Sequence, residues 1–396
     1  MKLLLGGVPL GCDNIGDEAI VGCVVKLLRN RFPEAELTVC TAAQEETASR
    51  LEVDTAPLYG FGKDPDLRGF ADLARRHDAY LWFGATGLSD YPETALRLLA
   101  AARRAGVPTL VWGVGMHPVL NPAFYRVSGK RAALLKLFSR CTFIDWKTIY
   151  ENALLRRTRR HIRRELSRCA LVVLRDEPSL DEVKKCGVNS AVAGADTAIL
   201  QSPAPTPPLP DLPDAERIGF CVSEQSVVRD LDGVVRLWDD LLESPRRRIV
   251  LIPMNPVTDK RLMLNLAARS RHPERIECLE SAAPEDVQAC AGQCRVLVSS
   301  RLHLLILGAD AGTPGVGIER GGKIANWLAH FEETPAGSVE ACDFADIRRR
   351  VEAILSRSDD DMRAETRRVM EKMRRRLDAA AELLYDALLR INGGRA

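Results

Sequence analysis

The sequence holds no Cys-x-x-Cys pair, no surplus of charge of either sign and no short internal repeat. Nor does any apolar run approach the roughly 20 residues of a membrane span. In the 396-residue chain 56 Lys and Arg stand against 54 Asp and Glu, for a net charge of +2. A dedicated nucleic-acid binder needs a strongly basic face, so that class is set aside. The opening Met1–Lys2–Leu3–Leu4–Leu5 reaches Gly6 before any signal-peptide pattern develops, and a cytoplasmic location is expected. The 11 cysteines are scattered, and Cys290 and Cys294 have no histidine or second cysteine cluster at zinc spacing. They are expected to be buried thiols acting as small hydrophobes, with no metal bound.

What is present is the composition of a soluble globular protein, 46% hydrophobic and 28% charged, long enough for two domains with separate cores. Short apolar runs predict strands at Lys2–Gly6, Glu36–Cys40, Ala79–Phe83, Thr109–Gly113, Leu171–Leu174 and Ala191–Ala193. Apolar residues at helical spacing lie between them, as at Ala19–Leu28, Thr94–Ala105 and Ser179–Lys185. Such alternation predicts a mostly parallel sheet covered by helices on both faces. The segment Gln201–Pro213 is too rich in proline for helix or central strand and reads as an extended linker. Beyond it the alternation restarts, with strands at Ile218–Val222, Ile249–Pro253, Arg275–Leu279, Val296–Ser299 and Gly315–Ile318. The expected organisation is α/β: a Rossmann-like doubly wound domain over 1–200, a linker over 201–216, a second such domain over 217–345 and an Arg-rich helical segment over 346–396.

Open α/β sheets bind ligands outside the carboxyl ends of their strands, which directs attention to the residues that follow each strand. Ser299-Ser-Arg-Leu-His303 leaves a strand and opens an apolar helix. Arg301 offers a planar donor fork for carboxylate or phosphate, and His303 an acid or base near neutral pH. The next exit, Glu319-Arg-Gly-Gly-Lys323, adds Arg320 and Lys323; with Arg301 they suit a ligand bearing two or three negative charges. Arg175 ends a strand of the first domain in the same way. Thr86, Asp90 and His117 follow glycine-rich exits and suit sugar hydroxyls, or simply hold turns. The first exit, Gly11-Cys-Asp-Asn-Ile-Gly-Asp-Glu18, sets glycines and a helix start beside three carboxylates, a poor setting for phosphate. The block Arg156-Arg-Thr-Arg-Arg-His-Ile-Arg-Arg164 reads as a solvated helix face, or as a peripheral contact with anionic lipid headgroups or a polyanionic acceptor.

Taken in order, the motifs NIGDEAI (14–20), VVLRDEPSL (172–180), GADTAIL with Asp196, and SSRLHLLILGADAGTP (299–314) followed by Lys323 resemble the polysaccharide pyruvyl transferase family. The resemblance implies two Rossmann-like domains in a GT-B-type arrangement with an inter-domain cleft. It also implies transfer of the enolpyruvyl unit of phosphoenolpyruvate to a sugar of a cell-surface glycan or its lipid-linked precursor, giving a pyruvate ketal and phosphate. Phosphoenolpyruvate would be a co-substrate, with no further cofactor. By resemblance Asp17 and His303 are catalytic, and Arg175, Arg301 and Lys323 hold the donor; Arg320 joins the donor contacts from its place at the strand end. Asn14, Gly16, Thr86, Asp90 and His117 are the expected acceptor contacts. The expected setting is the cytoplasm, with the inner face of the membrane and a homo-oligomer left as open alternatives. Two departures stand out: Gly84-Ala-Thr-Gly87 replaces the family's glycine run, and Glu319-Arg-Gly-Gly-Lys323 replaces a Tyr-Asp-Pro-Lys-like segment. The competing readings are a GT-B glycosyltransferase whose Glu319 grips the ribose of a nucleotide sugar, and a catalytically inactive glycan-binding relative.

Overall fold

The computed structural model describes residues 1–62, 66–118, 120–212 and 215–394; Pro213 and Asp214 of the expected linker lie outside the described residues. Seven strands form the first sheet: β1 (Lys2–Gly6), β2 (Glu36–Thr41), β3 (Asp54–Pro57), β4 (Ala79–Phe83), β5 (Thr109–Val114), β6 (Leu171–Leu174) and β7 (Val192–Ala193). Their order is β3-β2-β1-β4-β5-β6-β7, and every pairing is parallel. Parallel strands joined by crossover helices are covered on both faces, so they read as unbroken apolar runs. Accordingly all five residues of β4 and all six of β5 are buried. The edge strand β3, Asp-Thr-Ala-Pro, lacks such a run; proline is tolerated there because the strand pairs on one side.

The second sheet comprises β8 (Glu216–Cys221), β9 (Arg247–Leu251), β10 (Ile276–Cys278), β11 (Val296–Ser299) and β12 (Gly315–Gly317), in the order β10-β9-β8-β11-β12, again all parallel. Both sheets thus reverse direction beside their first strand, between β1 and β4 and between β8 and β11, which makes the exits of those strands the natural ligand positions. The doubly wound α/β architecture expected from the alternation is what the structure shows.

The chain folds as two compact units. The first contains Met1–Pro9, Arg31–Gly194 and Ala380–Ala396; the second contains Leu10–Asn30 and Ala195–Ala379. The exit of β1 and the helix Ile15–Arg31, up to Asn30, therefore group with the second unit. The Arg-rich carboxyl-terminal segment forms two helices, Phe344–Leu355 and Asp359–Gly393. Several of its charges hold these helices in place. Arg247 makes a bidentate pair with Glu352 at 2.7 and 2.6 Å, and Arg363 donates to the carbonyls of Gly292 and Cys294 at 3.0 and 3.1 Å.

Leu297, in the middle of β11, fills space left by two glycines, Gly308 of the helix Leu302–Asp310 and Gly219 of β8. A Cβ on Gly308 would come within 2.0 Å of Leu297 Cδ1, and one on Gly219 within 2.5 Å of Cδ2. The two glycines make room for one fully buried leucine, and neither has a side chain to refill its space. Leu297→Ala is expected to cost about 2–5 kcal/mol, seen as a lower urea midpoint at an unchanged m-value.

Candidate active site

The second unit gathers one group of candidate residues. Asn14 precedes the helix Ile15–Arg31, and its side-chain Oδ1 accepts from Gly16 N at 3.3 Å. Its Nδ2 donates to Asp17 Oδ2 at 2.7 Å, while Asp17 N donates to the Asn14 carbonyl at 3.0 Å. This reciprocal arrangement resembles a capping box and fixes the Asp17 side chain in the first helical turn. Glu18 folds back to accept from Gly11 N at 3.0 Å, and Ile15 N donates to the Met254 carbonyl, beyond the end of β9, at 3.1 Å. The carboxylates that made this loop unsuitable for phosphate are thus partly spent on its own architecture.

Against this helical turn lies the start of the helix Leu302–Asp310. A Cβ built on Gly16 would sit 2.0 Å from His303 Nδ1 and 2.5 Å from Cγ, closer than real atoms come. The imidazole therefore occupies the space any other residue at position 16 would fill. On its other side His303 Nε2 lies 3.6 Å from Asp196 Oδ2, an ion pair when the ring is protonated. Asp196 is itself buried and accepts from Ala198 N at 3.0 Å. Asp17 is only 4% exposed, and burial pushes its pKa up to about 6 against the opposing influence of His303, the Asn14 hydrogen bond and Lys323. A carboxyl group tuned to that range suits proton transfer near neutral pH.

The cations expected to hold an anion are strongly organised. Arg301 Nε and Nη2 make a bidentate pair with the fully buried Asp259 at 2.9 Å each. Asp259 also accepts from Glu224 N and Asn255 N at 2.9 and 3.0 Å. The Ser299 hydroxyl shapes the same turn, accepting from Arg301 N and donating to its carbonyl. Arg320 Nη1 donates to Ser223 Oγ at 2.6 Å and to the Gln225 carbonyl at 2.7 Å, linking the exits of β12 and β8. Lys323 begins the helix Lys323–Leu328 after Gly321 and Gly322, both in the left-handed region that favours glycine. Glu319 is committed elsewhere: its carboxylate accepts from the backbone N–H groups of Arg320, Gly322 and Ala325 at 2.6–2.7 Å.

A second group belongs to the first unit. Thr86 donates to the Asp90 carboxylate, and Asn121 Nδ2 donates to the Asp90 carbonyl at 2.9 Å. His117 N donates to Ser89 Oγ at 3.2 Å. Arg175 is buried beside Asp176, with Nε 3.4 Å from its carboxylate, and both its guanidinium and the Thr86 methyl press on Gly115. Arg175 therefore keeps company with Thr86, whereas Arg301, Arg320 and Lys323 belong with Asp17 and His303 in the second unit. Among the described residues no group of three or more His, Cys, Asp and Glu side chains could hold a metal ion.

Residues 14–322 match the family model described as polysaccharide pyruvyl transferase. The chain belongs to the polysaccharide pyruvyl transferase family. In this family member the matched span begins at Asn14 and takes in His303 and Arg320, stopping one residue before Lys323. No curated protein matches by sequence. Among solved structures it resembles UDP-GlcNAc 2-epimerase from Neisseria meningitidis bound to UDP-GlcNAc, with TM-score 0.59 and 13% identity over 98% of this chain and 100% of that one. It likewise resembles HepE from Anabaena in complex with UDP-glucose, with TM-score 0.57 and 11% identity over 99% and 100%. The glycotransferase of kitacinnamycin gives TM-score 0.56 and 13% identity over 98% of each chain. At such identities the likeness shows the fold alone, a GT-B-type fold of two Rossmann-like units.

The sequence reading did not assign Asp259 a site role, although it begins a helix beyond the exit of β9 and so carried the same positional signal as Arg301. Asp196 entered only as part of a motif. A cavity of about 450 Å³ does lie in the second unit, but its lining includes Thr313, Pro314 and Gly315 at the amino end of β12, away from the strand exits that carry these residues.

The raised pKa of Asp17 has a thermodynamic consequence. The folded state holds the proton more tightly than the unfolded chain, so ionisation of Asp17 costs stability as pH rises from about 4 to about 6. Asp17→Asn is expected to raise the urea midpoint relative to the parent protein above pH 6, by an amount on the order of 3 kcal/mol in unfolding free energy. The difference should vanish near pH 4.

Proposed function

We propose that this protein transfers the enolpyruvyl unit of phosphoenolpyruvate to a hydroxyl of a cell-surface glycan or its lipid-linked precursor, closing a pyruvate ketal and releasing phosphate. The reading rests on family membership, and one observation carries it further: a buried carboxyl tuned to about 6 held in the same turn that packs on His303. In the proposed reaction His303 delivers a proton to the methylene carbon, and positive character develops at C2. Asp17 takes the proton of the attacking sugar hydroxyl as its oxygen bonds to C2. Attack by a second hydroxyl on the same carbon then breaks the C2–O bond to phosphate, which leaves with the electron pair, and the second hydroxyl's proton passes to the His303 ring that gave up its own. Asp196 orients and stabilises the protonated ring. Arg320 and Lys323 meet the donor's phosphate and carboxylate, and Arg301 adds directionality. Its bidentate pair with Asp259 uses the Nε–Nη2 edge and leaves Nη1 outside that pair. Asn14 and Gly16 would border the acceptor; Thr86, Asp90, His117 and Arg175 form the polar group of the first unit.

The structures resembled here carry UDP-glucose or UDP-GlcNAc, which favours a second reading as a nucleotide-sugar transferase. The carboxylate that reading requires for a ribose is Glu319, and three backbone N–H groups already occupy it. Thermal-shift titration separates the two readings: phosphoenolpyruvate should raise the melting temperature, and stabilisation by UDP-glucose alone would overturn the proposal.

Two kinetic outcomes follow from the geometry. Gly16→Ala displaces the His303 imidazole and should lower acceptor-dependent phosphate release roughly 100-fold or more, with an unchanged circular dichroism spectrum. The kcat/KM of the parent protein should fall as pH drops through about 6, where Asp17 becomes protonated. A flat profile across that range would remove Asp17 from the base role.

A further inference from the structure

The connection between β5 and β6 is far longer than one crossover helix requires. It contains a helical hairpin, Gly129–Thr142 followed by Trp146–Leu166. The second helix is anchored by its carboxyl-terminal half, where Thr158, Ile162, Glu165 and Leu166 are buried and Glu165 accepts from Arg103 at 2.7 Å. The first helix has no buried residue at all. Leu134, Leu137, Phe138 and Cys141 nevertheless recur on it at the spacing of one helical face, and all are exposed. Trp146, Ile149, Tyr150 and Ala153 do the same on the second helix.

The turn between them is the most informative position. Phe143 adopts φ 56° and is 98% exposed. Glycine or asparagine serves such a left-handed helix terminus best, so folding gives no reason for an exposed phenylalanine there. Backbone and side chains stitch the turn into a fixed shape: Trp146 N donates to Ser139 Oγ at 3.0 Å, and Trp146 Nε1 to Thr142 Oγ1 at 2.7 Å. Near this apolar end stand Lys136, Arg140 and Lys147, with Lys130 and Arg131 in the first turn of the first helix; the nearby carboxylates are Asp145 in the turn and Glu151, which pairs with Lys147 at 3.6 Å. Asp145 is itself engaged as the cap of the second helix. Aromatic and aliphatic residues ringed by long cationic side chains match the boundary of an anionic bilayer, where the rings enter the acyl edge and the cations meet phosphates.

We propose that the hairpin tip, Leu134 to Tyr150, is a peripheral docking surface for an anionic lipid membrane. The arginine block 156–164 belongs to the anchored half of the second helix, so the apolar tip and its own cations make the primary contact. A polyanionic glycan or a nucleic acid would use the cations and leave Phe143, Phe138 and Leu137 in water. This surface involves none of the residues assigned to the transfer reaction, so it is tested separately from that reading.

The test uses the full-length protein and vesicles of phosphatidylcholine with or without phosphatidylglycerol. Trp146 is 38% exposed, whereas Trp82, Trp112, Trp238 and Trp327 are buried, so quenching by brominated lipid reports the hairpin. Vesicles with phosphatidylglycerol should bind roughly tenfold or more tightly than phosphatidylcholine alone, with a blue shift and quenching of Trp146. Added salt should weaken that preference. Leu137→Glu combined with Phe143→Glu should abolish binding without changing the melting temperature, since neither side chain is buried. Replacing Arg156, Arg157 and Arg160 by Gln should retain the Trp146 quenching. The proposal is overturned by absence of vesicle binding at low salt, or by equal binding to both vesicle types. Loss of binding only in the arginine variant also overturns it. So does a dimer, seen by light scattering, that the Glu variant dissociates while vesicles go unbound.

Discussion

The candidate site depends on the missing side chain at position 16. Because Gly16 has no Cβ, the first turn of the helix Ile15–Arg31 closes directly onto the His303 imidazole. Asp17, in the same turn, is buried, and burial raises its pKa against the opposing influence of His303 and of the Asn14 hydrogen bond that fixes its carboxylate. The same approach places the ring between Gly16 on one side and Asp196 on the other. The acid and the base of the proposed reaction therefore lie on either side of one backbone contact. Neither group needs to be moved into place by substrate, which is the condition under which preorganised groups stabilise developing charge.

The cations around this pair are arranged by the same economy. A lone buried arginine would be costly, and Asp259 offsets Arg301 with a bidentate pair while its remaining lone pairs satisfy two backbone N–H groups. The pair carries little net charge but fixes a donor edge in space. Arg320 is braced by Ser223 and the Gln225 carbonyl, which ties together the exits of β12 and β8 on either side of β11. In the proposed reaction, the net attraction for a compact dianion then falls on Arg320 and Lys323.

Much of this was legible in the sequence because a doubly wound sheet writes its buried strands as contiguous apolar runs. β1, β4, β6 and β11 have the bounds that their runs predict. The strand β3 was missed, since Asp-Thr-Ala-Pro has no apolar run and exists only through its pairing with β2. The first helix begins at Ile15 rather than Ala19, because Gly16, Asp17 and Glu18 break the apolar spacing while serving the cap and the loop. Arg301 and His303 were readable from their position after a strand. Their partners were not: Asp259 lies 42 residues from Arg301, and only the tertiary structure brings the two together. The hairpin illustrates the converse case. Leu134, Leu137 and Phe138 have the spacing of core residues, and the sequence contains nothing to say that their face has no cover.

The division into units also bears on how the protein unfolds. The chain passes between units at Pro9/Leu10, Asn30/Arg31, Gly194/Ala195 and Ala379/Ala380. Two of these passages fall inside continuous helices, Ile15–Arg31 and Asp359–Gly393. Cutting at the proline-rich segment would leave residues 10–30 without the unit that buries them, and residues 380–394 without theirs. Keeping the buried carboxylate of Asp17 ionised opposes stability near neutral pH, so the packing of the second unit around residues 10–30 has to offset it.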